Sequence, residues 1–204
     1  LKVVLDADPE FHACLQAEFR VLRSLRHPHL VEVHEFGFLH KPALPYLVMD
    51  YVPGQDLLRA TETMEDIARA RVLCHLAGVL HHLHSRGFLH RDLKPENVRI
   101  HEKDGTPRLL DLGLARPIGE TEEIHAGTLE YVAPEVLLRH PASIASDLYS
   151  LGVLLYRVFS GHFPIDAADA DALSEEIVRT QPRPLGTVRP DLPAAVVERW
   201  TGSS

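Results

Sequence analysis

Moving a phosphoryl group from a nucleotide asks little covalent chemistry of a protein. The phosphates must be held, divalent metal must spread their charge, and a carboxylate must orient the attacking hydroxyl. One short run of this 204-residue chain supplies several such groups together: His90-Arg91-Asp92-Leu93-Lys94-Pro95-Glu96-Asn97. An isolated His-Arg-Asp is ordinarily a surface loop. Here a lysine and an amide fall in register behind it, between a long helical stretch and a β-hairpin. Further on stand Asp111-Leu112-Gly113, by itself a common turn, then Gly127-Thr128-Leu129-Glu130-Tyr131 and Ala133-Pro134-Glu135.

The first run matches the protein-kinase catalytic-loop signature H-R-D-L-x-x-x-N, and through it the chain resembles the protein kinase superfamily. The resemblance implies that Asp92 accepts or orients the substrate hydroxyl proton, that Lys94 neutralises the migrating phosphoryl group, and that Asn97 holds a magnesium ion. Asp111 resembles the family's second metal ligand, placed across the β- and γ-phosphates, with Leu112 where Phe is commoner. Ala133-Pro134-Glu135 resembles the motif that closes the activation segment. The Gly-Thr-x-x-Tyr frame and Lys94 are similar to the Ser/Thr branch, with Thr128 bonding near Asp92 and Lys94. Asp147 looks like the buried aspartate that steadies the catalytic-loop backbone; a helix N-cap is its other open role, and the two are compatible.

The amino-terminal part fits the same resemblance. Lys2 falls where the family has its strand-three lysine on the α- and β-phosphates, and Glu18 opens Glu-x-x-x-Leu-x-x-Leu-x-His-Pro as the paired helix glutamate does. Residues 46–54 resemble the hinge, with Met49 as gatekeeper and the backbone of Asp50 and Val52 meeting adenine. The motif wording is similar to that of bacterial eukaryotic-like (Hanks-type) kinases, which often carry flanking sensor domains.

These groups need elements to hold them. Residues 1–5 read as a strand, and 9–26 as a helix with Phe11, Leu15, Phe19, Leu22 and Leu25 on one face, stopped at His27-Pro28. Strands follow over 30–38 and 45–52, up to Pro53-Gly54. Residues 64–86 read as a long helix burying Ile67, Ala70, Leu73, Cys74, Ala77, Leu80 and Leu83, with Gly87 past its end. Short strands over 98–101 and 108–111 flank Asp104-Gly105, and 112–134 lack periodicity. A helix then starts at 146 or 147 and runs to 160, turning Leu148, Leu151, Leu154, Leu155 and Val158 inward; 181–193 form a Pro-rich connector. The expected class is α+β and bilobal: a partial β-rich small lobe over 1–52 and a mainly helical large lobe over 53–204 lacking its last helices, with the ligand cleft between them.

Composition sets the bounds. A net charge of −8, with arginines scattered among acids, argues against a nucleic-acid partner. No run approaches the roughly 20 apolar residues of a membrane span. Cys14 and Cys74 lie in apolar stretches and read as buried reduced thiols, which fits the cytoplasm. His81, His82, His84 and His90 lack a carboxylate or thiol to complete a metal site and read as structural. The implied partners are ATP with Mg2+ and a protein bearing Ser or Thr.

Some positions depart from the family pattern. The chain opens inside a strand-like run, and 194–200 look like a helix just begun, so both ends read as cut. The Gly-rich loop is expected ahead of Lys2, and the arginine that pairs with Glu135 after about residue 200. A buried Glu135 without that partner is expected to cost on the order of 3–5 kcal/mol, leaving this stretch, on its own, poorly folded and weakly active. Arg99 falls where the family puts an apolar residue under adenine, so it either stacks on the purine or weakens nucleotide binding. Thr121 is the sole hydroxyl side chain between Asp111 and Gly127. A phosphate there could pair with Arg91, although Glu120, Glu122 and Glu123 would oppose it. A pseudokinase scaffold is the alternative function, disfavoured by the intact Lys2, Glu18, Asp92, Lys94, Asn97 and Asp111. A small-molecule phosphotransferase is disfavoured by the closed activation segment.

Overall fold

The computed structural model describes residues 2–3, 19, 23, 25–39, 44–110, 116–117 and 129–193. The expectations for Cys14, Glu18, Asp111, Thr121, Thr128, the side chain of Lys2, the helix over 194–200 and all of the helix over 9–26 except Phe19, Arg23, Leu25 and Arg26 lie outside those residues. Phe19 is helical.

Three antiparallel strands form the first sheet: β1 (Lys2–Val3), β2 (Val33–Phe38) and β3 (Pro45–Met49), in the order β1-β3-β2. Leu47 on β3 is buried, and Phe19 meets Phe36 with ring centroids 5.9 Å apart. Gly37 lies under the Tyr46 ring, which an added Cβ would meet at 2.5 Å. Strand β2 starts later than the expected 30 for a physical reason. Residues 29–31 spend their backbone bonds elsewhere: Val31 N–H donates to the Leu109 carbonyl (2.9 Å), and Leu109 N–H to that of His29 (2.8 Å).

The receiving strand belongs to a second sheet of β4 (Gly54–Asp56), β6 (Val98–His101) and β7 (Pro107–Leu109), ordered β4-β6-β7. A two-stranded ladder joins β5 (Phe88–Leu89) to β8 (Arg116–Pro117). The helices bounded within the described residues are α1 (Leu57–Thr61), α2 (Asp66–His84), α3 (Pro134–Leu137), α4 (Ile144–Ser160), α5 (Ala170–Arg179) and α6 (Leu185–Val188). The class is therefore α+β, and no helix among the described residues is long and apolar enough to cross a membrane.

Helices α2 and α4 pack against each other and make the core. On α2 the buried side chains are Val72, Leu73, Leu76, Val79, Leu80 and Leu83. Leu73, Leu80 and Leu83 are buried as expected, and two positions are corrected: Ile67 is 73% exposed, and Cys74 is an exposed free thiol, not a buried one. Two helical stripes competed. The one built from Val72, Leu76, Val79 and Leu83 removes more apolar area from water than one containing Ala70, Cys74 and Ala77, and area decides at roughly 25 cal/mol per Å².

Helix α4 begins earlier than its pattern implied; Leu154 and Val158 are buried and Leu151 and Leu155 pack on the core as expected, but Leu148 does not. Ser143 caps it and Ser146 returns the bond, a capping box, while Gly161 closes it at φ +76°. Leu148 is 51% exposed, whereas Ser146, Asp147 and Ser150 are buried. Polar residues take the inward positions of the first turns because they have bonding partners there. The expected connector is partly helical as α6, and Arg189 ties it back through the Phe159 carbonyl (2.8 Å) and Asp66 (2.6 Å).

Candidate active site

The loop carrying Asp92 hangs between β5 and β6 by apolar anchors. Leu89 and Leu93 are essentially fully buried on either side of the exposed chemistry. Each such burial contributes about 1.5–3 kcal/mol. Between them Arg91 adopts a left-handed backbone (φ +64°), so the chain reverses and presents Asp92 next to Lys94. After Lys94 a 3-10 turn, Pro95–Asn97, begins on the pre-set φ of proline and carries Asn97 back over the loop.

The three groups meet. Lys94 Nζ lies 2.8 Å from Asp92 Oδ2, and Asn97 Nδ2 donates to the same oxygen at 2.9 Å and to the Asp92 carbonyl at 2.8 Å. With its nitrogen committed to Asp92, Asn97 has its carbonyl oxygen Oδ1 without a hydrogen-bond partner among the described residues. A hard oxygen donor on a buried, doubly tethered side chain suits a Mg2+ ion.

Asp147 fixes the loop from beneath. It is 1% exposed, and its oxygens accept the backbone N–H groups of His90 and Arg91, each at 2.8 Å. His84 Nε2 lies 2.7 Å from Asp147 Oδ2. Burial pushes this carboxyl up, but the His84 bond, the charge of His90 and the two backbone donors outweigh it and hold the group below its ordinary value. The expected steadying role is what the geometry shows. The N-cap role is not: Ser143 caps the helix, and Asp147 sits a turn inside it. His84 was read from the sequence only as structural. Its place at the end of α2, immediately before the loop, was the available signal.

The 3-10 turn Leu129–Tyr131, just ahead of Ala133-Pro134-Glu135, is held by α4. Ser150 Oγ donates to the Tyr131 carbonyl (2.7 Å) and Arg157 Nη1 to the Tyr131 hydroxyl (3.1 Å), while burial raises the Tyr131 phenol to about 12. Glu135 differs from expectation. It is half-buried rather than buried, and Ser146 Oγ donates to its Oε1 at 2.7 Å, so the carboxylate is not left without a partner. The large expected penalty does not apply. A serine three residues into a capping box served two ends at once, which no motif signals.

Met49 ends β3. Asp50 N–H is committed to the Glu32 carbonyl (3.0 Å), while Val52 N–H takes no hydrogen bond among the described residues and stays available to a ligand. Arg99 lies on the half-exposed face of β6, and its Nη2 donates to the Gly54 carbonyl at the start of β4. Gly54 has φ +143°, and a Cβ there would come 1.9 Å from the Ile100 carbonyl oxygen. Only glycine fits that approach. Lys2 lies on β1 opposite Leu47.

With fold and geometry in place, the chain belongs to the protein kinase family: the model of the protein kinase domain matches residues 3–195. It is 35% identical to the serine/threonine-protein kinase PknA of Mycobacterium tuberculosis over 209 residues, covering 97% of this chain and 47% of that protein. It is 32% identical to the serine/threonine-protein kinase PknB of Mycolicibacterium smegmatis over 213 residues, covering 97% of this chain and 34% of that one. The chain thus spans about half or less of the length of these relatives. The family uses ATP, typically with a divalent metal.

Proposed function

We propose that this chain carries the phosphotransfer core of a Ser/Thr protein kinase, moving the γ-phosphoryl group of ATP to a Ser or Thr hydroxyl of a protein. The observation that carries the reading is the Asp92 carboxylate, gripped by Lys94 and Asn97 on a loop bonded to buried Asp147. Asp92 orients the incoming hydroxyl and accepts its proton, and Lys94 meets the charge that develops on the transferring group. Asn97 and Asp111 would hold Mg2+, which supplies charge neutralisation on the phosphates.

The remaining assignments rest on the family resemblance. Lys2 and Glu18 would pair over the α- and β-phosphates, and Met49, Asp50 and Val52 would border adenine with Arg99 at the cleft floor. Thr128, Arg91 and Glu135 would shape the activation segment, and a phosphate on Thr121 would order it. Residues 1–52 and 53–204 would be the two lobes. Two cysteines in the whole chain, one of them an exposed thiol, favour a cytoplasmic setting, with sensor domains on the longer protein.

The test is transfer of radiolabel from ATP by the full-length protein and its Asp92→Asn variant, with nucleotide affinity measured in parallel. The expected outcome is transfer reduced by about 10²–10⁴-fold with ATP affinity retained. Equal transfer by both proteins would overturn the assignment.

A further inference from the structure

Outside the site lies a cluster of half-buried imidazoles. His27 and His29, on the turn before β2, meet His75 and His82 on α2. His29 stacks on His75 with ring centroids 4.0 Å apart at 14°, and His27 lies 5.1 Å from His82 and 5.7 Å from His29. His75 and His82 stand two helical turns apart, so one face of α2 presents both.

The bonding of these rings suits the neutral form. His75 Nδ1 and His82 Nε2 are buried with no hydrogen-bond partner among the described residues. His27 Nδ1 accepts the His29 N–H (3.2 Å), and His82 Nδ1 accepts from Arg86 Nη1 (2.9 Å), so neither nitrogen can take a proton without losing its bond. His29 is the exception: its Nδ1 lies 3.1 Å from the Pro107 carbonyl, a bond that favours the protonated ring and that burial and the charge of His75 outweigh. The charged neighbours are mostly cationic. His81 comes from α2 and Arg86 from the turn that follows it, Arg108 from β7 with its Nη1 3.4 Å from His29, and Arg26 from the position ahead of His27. The nearby acids are spoken for: Glu32 pairs with Arg26 (3.2 Å), and Asp104 with Arg108 (3.5 Å) and His101 (3.4 Å). No carboxylate pairs with any of the four rings among the described residues.

The turn these rings hold matters to the site. It makes the backbone bonds to Leu109 that stitch it to the second sheet, and the Glu32 carbonyl just beyond it receives the Asp50 N–H at the hinge. We propose that the His27–His29–His75–His82 cluster is a proton-operated latch: neutral rings clamp the 27–32 turn to α2, and imidazolium charge gathering below neutrality releases it and loosens the hinge. Nothing in this inference requires the phosphotransfer reading, because the latch is a property of the packing.

The direction of the pH dependence follows from the environment. Burial foremost, then repulsion from His82 and His75, holds His27 below the ordinary 6.5; burial and then His75 do the same to His29, and burial and then Arg86 to His82. The unfolded chain binds protons from 6.5 downward before the folded cluster does. The latch is therefore intact above 6.5 and weakens as the pH falls below it toward the lowered folded values.

Backbone hydrogen exchange in the full-length protein tests this at the amides of Val31 and Leu109, corrected for intrinsic rates. Protection at both is expected to fall by about tenfold or more between pH 7.5 and 5.5. Two doubly substituted proteins, His29→Phe with His75→Phe and His27→Gln with His82→Gln, are each expected to cut that fall at least in half. Should one fail to fold, the other decides. Unchanged wild-type protection, an undiminished fall in the folded variants, or four imidazoles titrating at their ordinary value by NMR would each overturn the latch.

Discussion

The loop that carries Asp92 and the segment 50–56 that follows β3 are held by opposite means. Beneath the loop, Asp147 is almost fully buried and satisfied by three donors, so the backbone beside the reacting groups has one arrangement. Along 50–56 the chain is more open, although Val52 is buried: Tyr51 is 85% accessible, and the Asp50–His34 contact at 2.6 Å is half open to water on both sides. Such surface contacts contribute about 0–1 kcal/mol. What fixes this segment is local shape, through Gly54 pressed on the Ile100 carbonyl and Arg99 on the Gly54 carbonyl. Chemistry is placed by a buried charge, and the ligand edge by a tight backbone approach. The first tolerates no change, whereas the second can be tuned by one side chain.

The sharpest way to break that contrast is at Asp147. Asp147→Ala strands two backbone N–H groups and His84 in the core, and should cost about 3–5 kcal/mol, lowering the melting midpoint by roughly 10 °C. A loss under about 1 kcal/mol would show that the loop is not held from beneath. Because the folded carboxyl titrates below 3.8, its contribution is present above that value and drains away as pH falls further. At the ligand edge, Gly54→Ala forces a Cβ into the Ile100 carbonyl and is expected to destabilise by about 2–4 kcal/mol in urea melts. A neutral outcome there would mean that the strands separate easily. Smallest is Arg99→Leu, expected to leave the fold intact while shifting ATP affinity by roughly 2- to 30-fold in a titration of the full-length protein. An unaltered affinity would remove Arg99 from the cleft floor.

How well the sequence could be read followed the range of the interactions involved. The catalytic loop was legible because its groups lie within six positions, and a 3-10 turn brings Asn97 back to Asp92 without help from elsewhere. Elements with one strong stripe or terminal glycine were found to within a few residues. The buried face of α2 was found only in part, with Leu73, Leu80 and Leu83 but without Val72, Leu76 and Val79, because two apolar stripes share that helix and only the neighbours choose between them. The short α5 was missed as well: of its residues only Ile177 is buried, so it carried almost no apolar signal. Its start rests on the Asp169 side chain accepting the Ala172 N–H at 2.9 Å.

By itself the sequence determined that Asp92, Lys94 and Asn97 would meet, since residue type and close spacing already dictate what they can offer one another. Tertiary structure alone decided what surrounds them. His84 reaches Asp147 across 63 positions, Ser146 partners Glu135, and histidines of one turn stack on those of a helix. Those contacts depend on which faces of α2 and α4 turn inward, and burial energy summed over the whole core makes that choice, with no local pattern to announce it.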